Sequence, residues 1–85
     1  GFKVTRTIVP QNIAAGQLYV IVDLGGTEGA PVTYSLLSGS AQYNINTSNG
    51  AVTAKQAMTK AEAQSFQIRV TDATSATQDS EILKP

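Results

Sequence analysis

Apolar and polar side chains alternate with a period of two in short runs along nearly the whole chain. Phe66, Ile68 and Val70 alternate with Gln67, Arg69 and Thr71. Only an extended strand sends successive side chains to opposite faces, so such a run reads as a strand with one buried face. Val32, Tyr34 and Leu36 alternate with Thr33 and Ser35, and Tyr43 and Ile45 with Asn44 and Asn46. Leu18, Val20 and Val22 alternate with Tyr19 and Ile21, a strand with apolar residues on both faces. Val52 lies in a shorter strand over residues 50–54, and the two ends, residues 2–9 and 76–83, also read as strands.

Breakers separate these runs. Residues 14–16 precede the second strand, Gly25, Gly26 and Gly29 fall in the connection 23–31, and Ser38-Gly39-Ser40 ends the third. Asn49-Gly50 is a hairpin signal, because both residues tolerate the positive φ of a type I′ turn, although a longer turn also fits. Thr74-Ser75 marks the last hairpin, and Pro10 ends the first strand. Residues 56–63, rich in helix formers, break the pattern. They are too few for a lone helix and read as a one- or two-turn crossing with Met58 packed underneath.

Seven short strands at this spacing predict an all-β fold, a seven-stranded antiparallel Greek-key sandwich of immunoglobulin-like type. The predicted core is Val4, Ile8, Leu18, Val20, Val22, Val32, Tyr34, Leu36, Tyr43, Ile45, Val52, Met58, Phe66, Ile68, Val70 and Ile82. One domain over residues 1–85 is expected, a module of a larger multidomain protein.

Composition removes several kinds of chemistry. The chain has no Cys and no His, so it offers no disulfide, no thiol nucleophile, no thiolate metal site and no imidazole base. Six Lys and Arg balance six Asp and Glu, without the clustered cations that nucleic-acid affinity requires. No apolar stretch approaches the roughly 20 residues of a membrane span. Ten Thr and seven Ser at low charge suit an extracellular or cell-surface module. An enzyme is not expected: the Ser residues have no His partner, and the scattered carboxylates Glu28, Glu62, Asp79 and Glu81 form no acid–base pattern.

The segment from Val32 to Asp72 resembles a cadherin repeat. It runs Val32-Thr33-Tyr34-Ser35-Leu36, Gly39, Tyr43-Asn44-Ile45, Asn49-Gly50-Ala51-Val52, Met58 in the crossing, and Phe66-Gln67-Ile68-Arg69-Val70-Thr71-Asp72. Upstream, Val9-Pro10-Gln11-Asn12 is similar to that family's Val-x-Glu-Asn, and Phe2 to its early Phe. The resemblance implies calcium held between successive repeats by carboxylates. Calcium takes 6–8 oxygen ligands, and most of the family's carboxylate positions are changed here. Gln11 stands for Glu, Thr59 and Ala61 stand for the acidic residues of the crossing, and Gly25 replaces the partner of Asp23. Asp23 and Asp72 alone remain as candidate calcium ligands, at the end that faces the preceding repeat in the family. Turn chemistry is the competing account of both, since each ends a strand just before a loop.

The expected function is therefore a non-enzymatic cell-adhesion or spacer module with weak or absent calcium binding of its own. Its expected partners are neighbouring domains of the same chain, another adhesion protein or a glycan. The alternative is a bacterial surface or secreted-enzyme sandwich module acting as a spacer or carbohydrate-binding domain. Two further features stand out. Asn46-Thr47-Ser48 is an N-glycosylation triplet, and Tyr19 with Ile21 is a candidate apolar contact patch.

Overall fold

The computed structural model describes residues 3–6, 9–23 and 31–85, with side chains over 9–17 and 31–85. Nine strands and no helix are found among the described residues: β1 (Lys3–Arg6), β2 (Asn12–Ile13), β3 (Leu18–Asp23), β4 (Thr33–Ser38), β5 (Tyr43–Ile45), β6 (Val52–Ala54), β7 (Met58–Thr59), β8 (Gln67–Thr71) and β9 (Thr77–Asp79). The seven expected strands correspond to β1, β3, β4, β5, β6, β8 and β9. The two-residue strands β2 and β7 are additional. All pairings are antiparallel, in a four-stranded sheet ordered β1-β3-β6-β5, a three-stranded sheet ordered β4-β8-β9, and the pair β2-β7.

The core draws on both larger sheets. Tyr43, Val52 and Ala54 come from the four-stranded sheet, Tyr34, Ile68 and Val70 from the three-stranded one. Met58, Phe66, Leu83, Val9, Ile13 and Ala63 complete it, with Val32, Leu36 and Ile45 packed at its margin. Fully burying a side chain such as Ile68 or Phe66 is worth about 1.5–3 kcal/mol. The Tyr43 and Phe66 rings meet at 4.6 Å with a 48° tilt. That spacing falls in the range aromatic pairs favour. The expected core positions Val4, Ile8, Leu18, Val20 and Val22 lie outside the residues whose side chains are described.

Two bulges set which apolar residues face inward. Leu36 pairs with Ile68 and Ser38 with Gln67, so β4 advances two residues while β8 advances one, and Leu37 is left 43% exposed. The second bulge corrects the predicted core. The N–H of Ser80 donates to Ile68 O, and Leu83 exchanges two hydrogen bonds with Phe66, each at 2.8 Å. Two residues lie between Ser80 and Leu83, while one lies between Ile68 and Phe66. One inserted residue flips every side chain beyond it to the other face. Ile82 is accordingly 69% exposed and Leu83 fully buried. The regular strand stops at Asp79 and does not run to residue 83.

Ser80 supports this irregularity. It is 6% exposed, and its hydroxyl accepts from the Ile68 N–H at 3.0 Å and donates to Glu81 O at 2.8 Å. The side chain thus supplies the ladder acceptor that the displaced backbone cannot.

The crossing 56–63 holds no helix. Ile13 and Met58 pair as neighbours in β2-β7, which places both in the core. Met58 is buried as expected. After β7 a single turn forms, with Glu62 N–H donating to Thr59 O at 3.0 Å and Ala63 N–H to Lys60 O at 3.3 Å. Burial of Ala63 then draws the chain back into the core. Helix propensity over so few residues is weaker than these tertiary contacts.

The β5-β6 hairpin matches the expected pairing, with Tyr43 opposite Ala54 and Ile45 opposite Val52. Its turn is the longer form. Asn46 N–H donates to Ala51 O at 2.9 Å, Gly50 N–H donates to Asn46 O at 2.8 Å, and Gly50 has φ 75°. Asn49 keeps a negative φ, which a type I′ turn does not allow.

Candidate functional site

Of the two candidate calcium ligands, Asp23 ends β3 and Asp72 directly follows β8. Asp23 lies opposite Lys3 in the β1-β3 register, and Thr33 opens β4 after the intervening chain. Thr33 pairs with Thr71, the residue before Asp72. The Asp23 side chain, like those of Tyr19 and Ile21, lies outside the described residues, as do Gly25, Gly26, Glu28 and Gly29.

The Asp72 side chain is among those described. Its Oδ1 accepts hydrogen bonds from Thr74 N–H at 2.8 Å, the Thr74 hydroxyl at 2.7 Å and Ala76 N–H at 3.1 Å. Its backbone N–H donates to Ala76 O, and its carbonyl accepts from Ser75 N–H. Ser75 takes φ 69°, a left-handed conformation that the surrounding turn imposes. Asp72 is thus the organiser of the β8-β9 hairpin. A cation coordinated at Oδ1 would compete with three donors already in place.

The β2-β7 pair gathers the positions where the resemblance expects the other carboxylates. Asn12 pairs with Thr59, and Lys60 N–H donates to Gln11 O at 2.9 Å. Glu62 is the acidic residue of this turn, and it is folded back on its own loop. Its Oε1 accepts from Thr59 N–H at 2.8 Å and from the Thr59 hydroxyl at 2.9 Å. This is the reciprocal pattern of a Thr-x-x-Glu capping box, formed here on a single turn. The Thr59 backbone bond first, and its hydroxyl second, hold the Glu62 carboxyl below its ordinary value. Among the described residues no group of three or more acidic side chains is placed to hold a metal.

Sequence reasoning missed Gln42. Its Oε1 accepts from Gln64 N–H at 2.7 Å and its Nε2 donates to Glu62 O at 3.0 Å, so one amide side chain stands in for a strand neighbour. The Tyr43 hydroxyl donates to Gln64 O at 2.6 Å beside it. The Thr59-to-Glu62 spacing was a readable capping signal; no local signal marks Gln42, whose partners lie 20 and 22 residues away.

On the outer face of the three-stranded sheet, Arg69 and Asp79 pair across β8 and β9. Nε to Oδ1 is 2.7 Å and the second guanidinium nitrogen to Oδ2 is 3.0 Å. The hydrogen-bonded guanidinium holds Asp79 below its ordinary carboxyl value. Three of the five aromatic residues, Tyr34, Tyr43 and Phe66, are buried, so none of them forms an exposed platform. No helix among the described residues is long and apolar enough to cross a membrane.

Comparison with protein-family models, curated proteins and solved structures finds no match to this chain.

Proposed function

We propose that the chain is a non-enzymatic extracellular adhesion or spacer module, a Greek-key sandwich resembling a cadherin repeat, whose own calcium binding is weak or absent. The observation that carries the fold reading is the strand order. A four-stranded β1-β3-β6-β5 sheet and a three-stranded β4-β8-β9 sheet correspond to the four-plus-three order of immunoglobulin-like sandwiches. Long-range antiparallel ladders around one core suit a unit that transmits load without deforming. The weak-calcium reading is supported by Asp72, engaged in its own turn, and by Glu62, engaged with Thr59. Neighbouring domains of the same chain, another adhesion protein or a glycan are its proposed partners.

Single-molecule extension of the domain between inert handles tests the spacer reading. The expected record is one abrupt event with a length gain of about 240–270 Å. That follows from about 3.3–3.6 Å per residue over 85 residues, less the 39 Å long dimension. Gradual extension at low force would overturn it. A glycan array run on the same protein distinguishes the carbohydrate-binding alternative, which a saturable glycan signal would favour.

A further inference from the structure

We propose that Asn46 is an attachment site for an N-linked glycan. Of the four asparagines, Asn12, Asn44, Asn46 and Asn49, only Asn46 has a hydroxyl residue two positions on, and the residue between is not Pro. Asn46, Thr47 and Ser48 are all exposed. Thr47 O accepts from Tyr34 N–H at 3.0 Å, which anchors the middle of the triplet to the start of β4. The triplet is therefore both displayed and held.

The turn prepares the acceptor amide. Ser48 N–H donates to Asn46 Oδ1 at 2.9 Å and Asn49 N–H donates to the same oxygen at 3.0 Å. Two donors on the amide oxygen draw electron density from the amide nitrogen and make its protons more acidic. Nδ2 itself, and the Ser48 hydroxyl, have no hydrogen-bond partner among the described residues. Both groups are thus open to a transferase. The co-substrate is an oligosaccharide carried on a polyprenyl pyrophosphate. Nδ2 attacks the anomeric carbon and the Nδ2–C1 bond forms as the C1–O bond to the pyrophosphate breaks. The lipid pyrophosphate leaves with the electron pair, and Nδ2 gives its proton to a base of the transferase. No redox change is involved.

Occurrence on the protein rests on the extracellular placement proposed above, whereas the acceptor chemistry is testable on the purified chain. The folded domain is incubated with an oligosaccharyltransferase, shown active on a standard acceptor peptide, and its lipid-linked donor. The expected result is one added glycan mass on the peptide containing Asn46. Asn46→Gln and Ser48→Ala should abolish it, and Ser48→Thr should retain it. No added mass, or addition at another asparagine, would overturn the proposal. Either failure leaves the spacer reading to its own extension test.

Discussion

Gly39 lies against Phe66, and adding one methyl group there tests the packing of the core directly. Gly39 has φ 93°, and a Cβ on it would stand 2.5 Å from Phe66 Cβ, 3.1 Å from Phe66 Cα and 3.2 Å from Ser65 O. These atoms cannot swing away: Phe66 is 1% exposed and its backbone is bonded on both sides to Leu83. The carbonyl of Gly39 also accepts from Gln42 and Tyr43 N–H, fixing the turn. Gly16 is the internal control, with φ 83° and no atom within 4 Å of its added Cβ. A left-handed non-glycine residue costs about 1–2 kcal/mol, and overpacking adds about 1–3 kcal/mol. Gly16→Ala should therefore lose about 1–2 kcal/mol, and Gly39→Ala about 2–5 kcal/mol. Domains of this size shift in Tm by about 4–8 °C per kcal/mol. Urea and thermal unfolding of the two variants read the difference. Equal losses would refute the close approach of Gly39 to Phe66.

Leu83→Ala should cost about 2–5 kcal/mol while Ile82→Ala stays within about 0.5 kcal/mol, measured by urea denaturation; the reverse order would restore the regular register. Ser80→Ala leaves the Ile68 N–H without its acceptor and should cost about 1–3 kcal/mol in the same assay, whereas Thr77→Ala on the exposed strand should not. Acid titration followed by carboxyl NMR should find Asp79 and Glu62 protonating below the ordinary range of about 3.9–4.3. Because both are depressed in the folded state, their contribution to stability is present above that range and is lost as pH falls through their folded values. Asp79→Asn and Thr59→Ala should each reduce the acid dependence, and an unchanged profile in both would contradict the assigned partners.

The parts of the fold legible in the sequence are those where the period of two runs unbroken. Phe66, Ile68 and Val70 face the core because nothing interrupts β8 between them. The β5-β6 pairing was legible because Asn49-Gly50 sits between two alternating runs. Alternation fails where a residue is inserted: the doublets Leu36-Leu37 and Ile82-Leu83 each offer two apolar candidates for one inward position. Which is chosen depends on a bulge set by the neighbouring strand. The crossing reads as one or two turns over Met58, and a single turn does form there, but helix formers such as Met58 and Ala63 do not signal the strand β7. Their burial is decided by β2 and the core, far away in sequence. For the candidate site, the residue types at Asp72, Gln11 and Thr59 were legible, but the use of Asp72 Oδ1 by Thr74 and Ala76 was not. That depends on Ser75 adopting a positive φ.

Asp72 and Glu62 are engaged in their own turns, and the calcium binding proposed for this module is accordingly weak or absent. Calcium titration of the isolated chain, by calorimetry together with the amide shifts of Asp72, Thr74 and Ala76, tests it most directly. The expected result is no saturation below about 10⁻⁴ M, the weak end of calcium modules, with the Thr74 and Ala76 amides unmoved. A one-to-one site tighter than about 10⁻⁵ M that shifts those amides would contradict it.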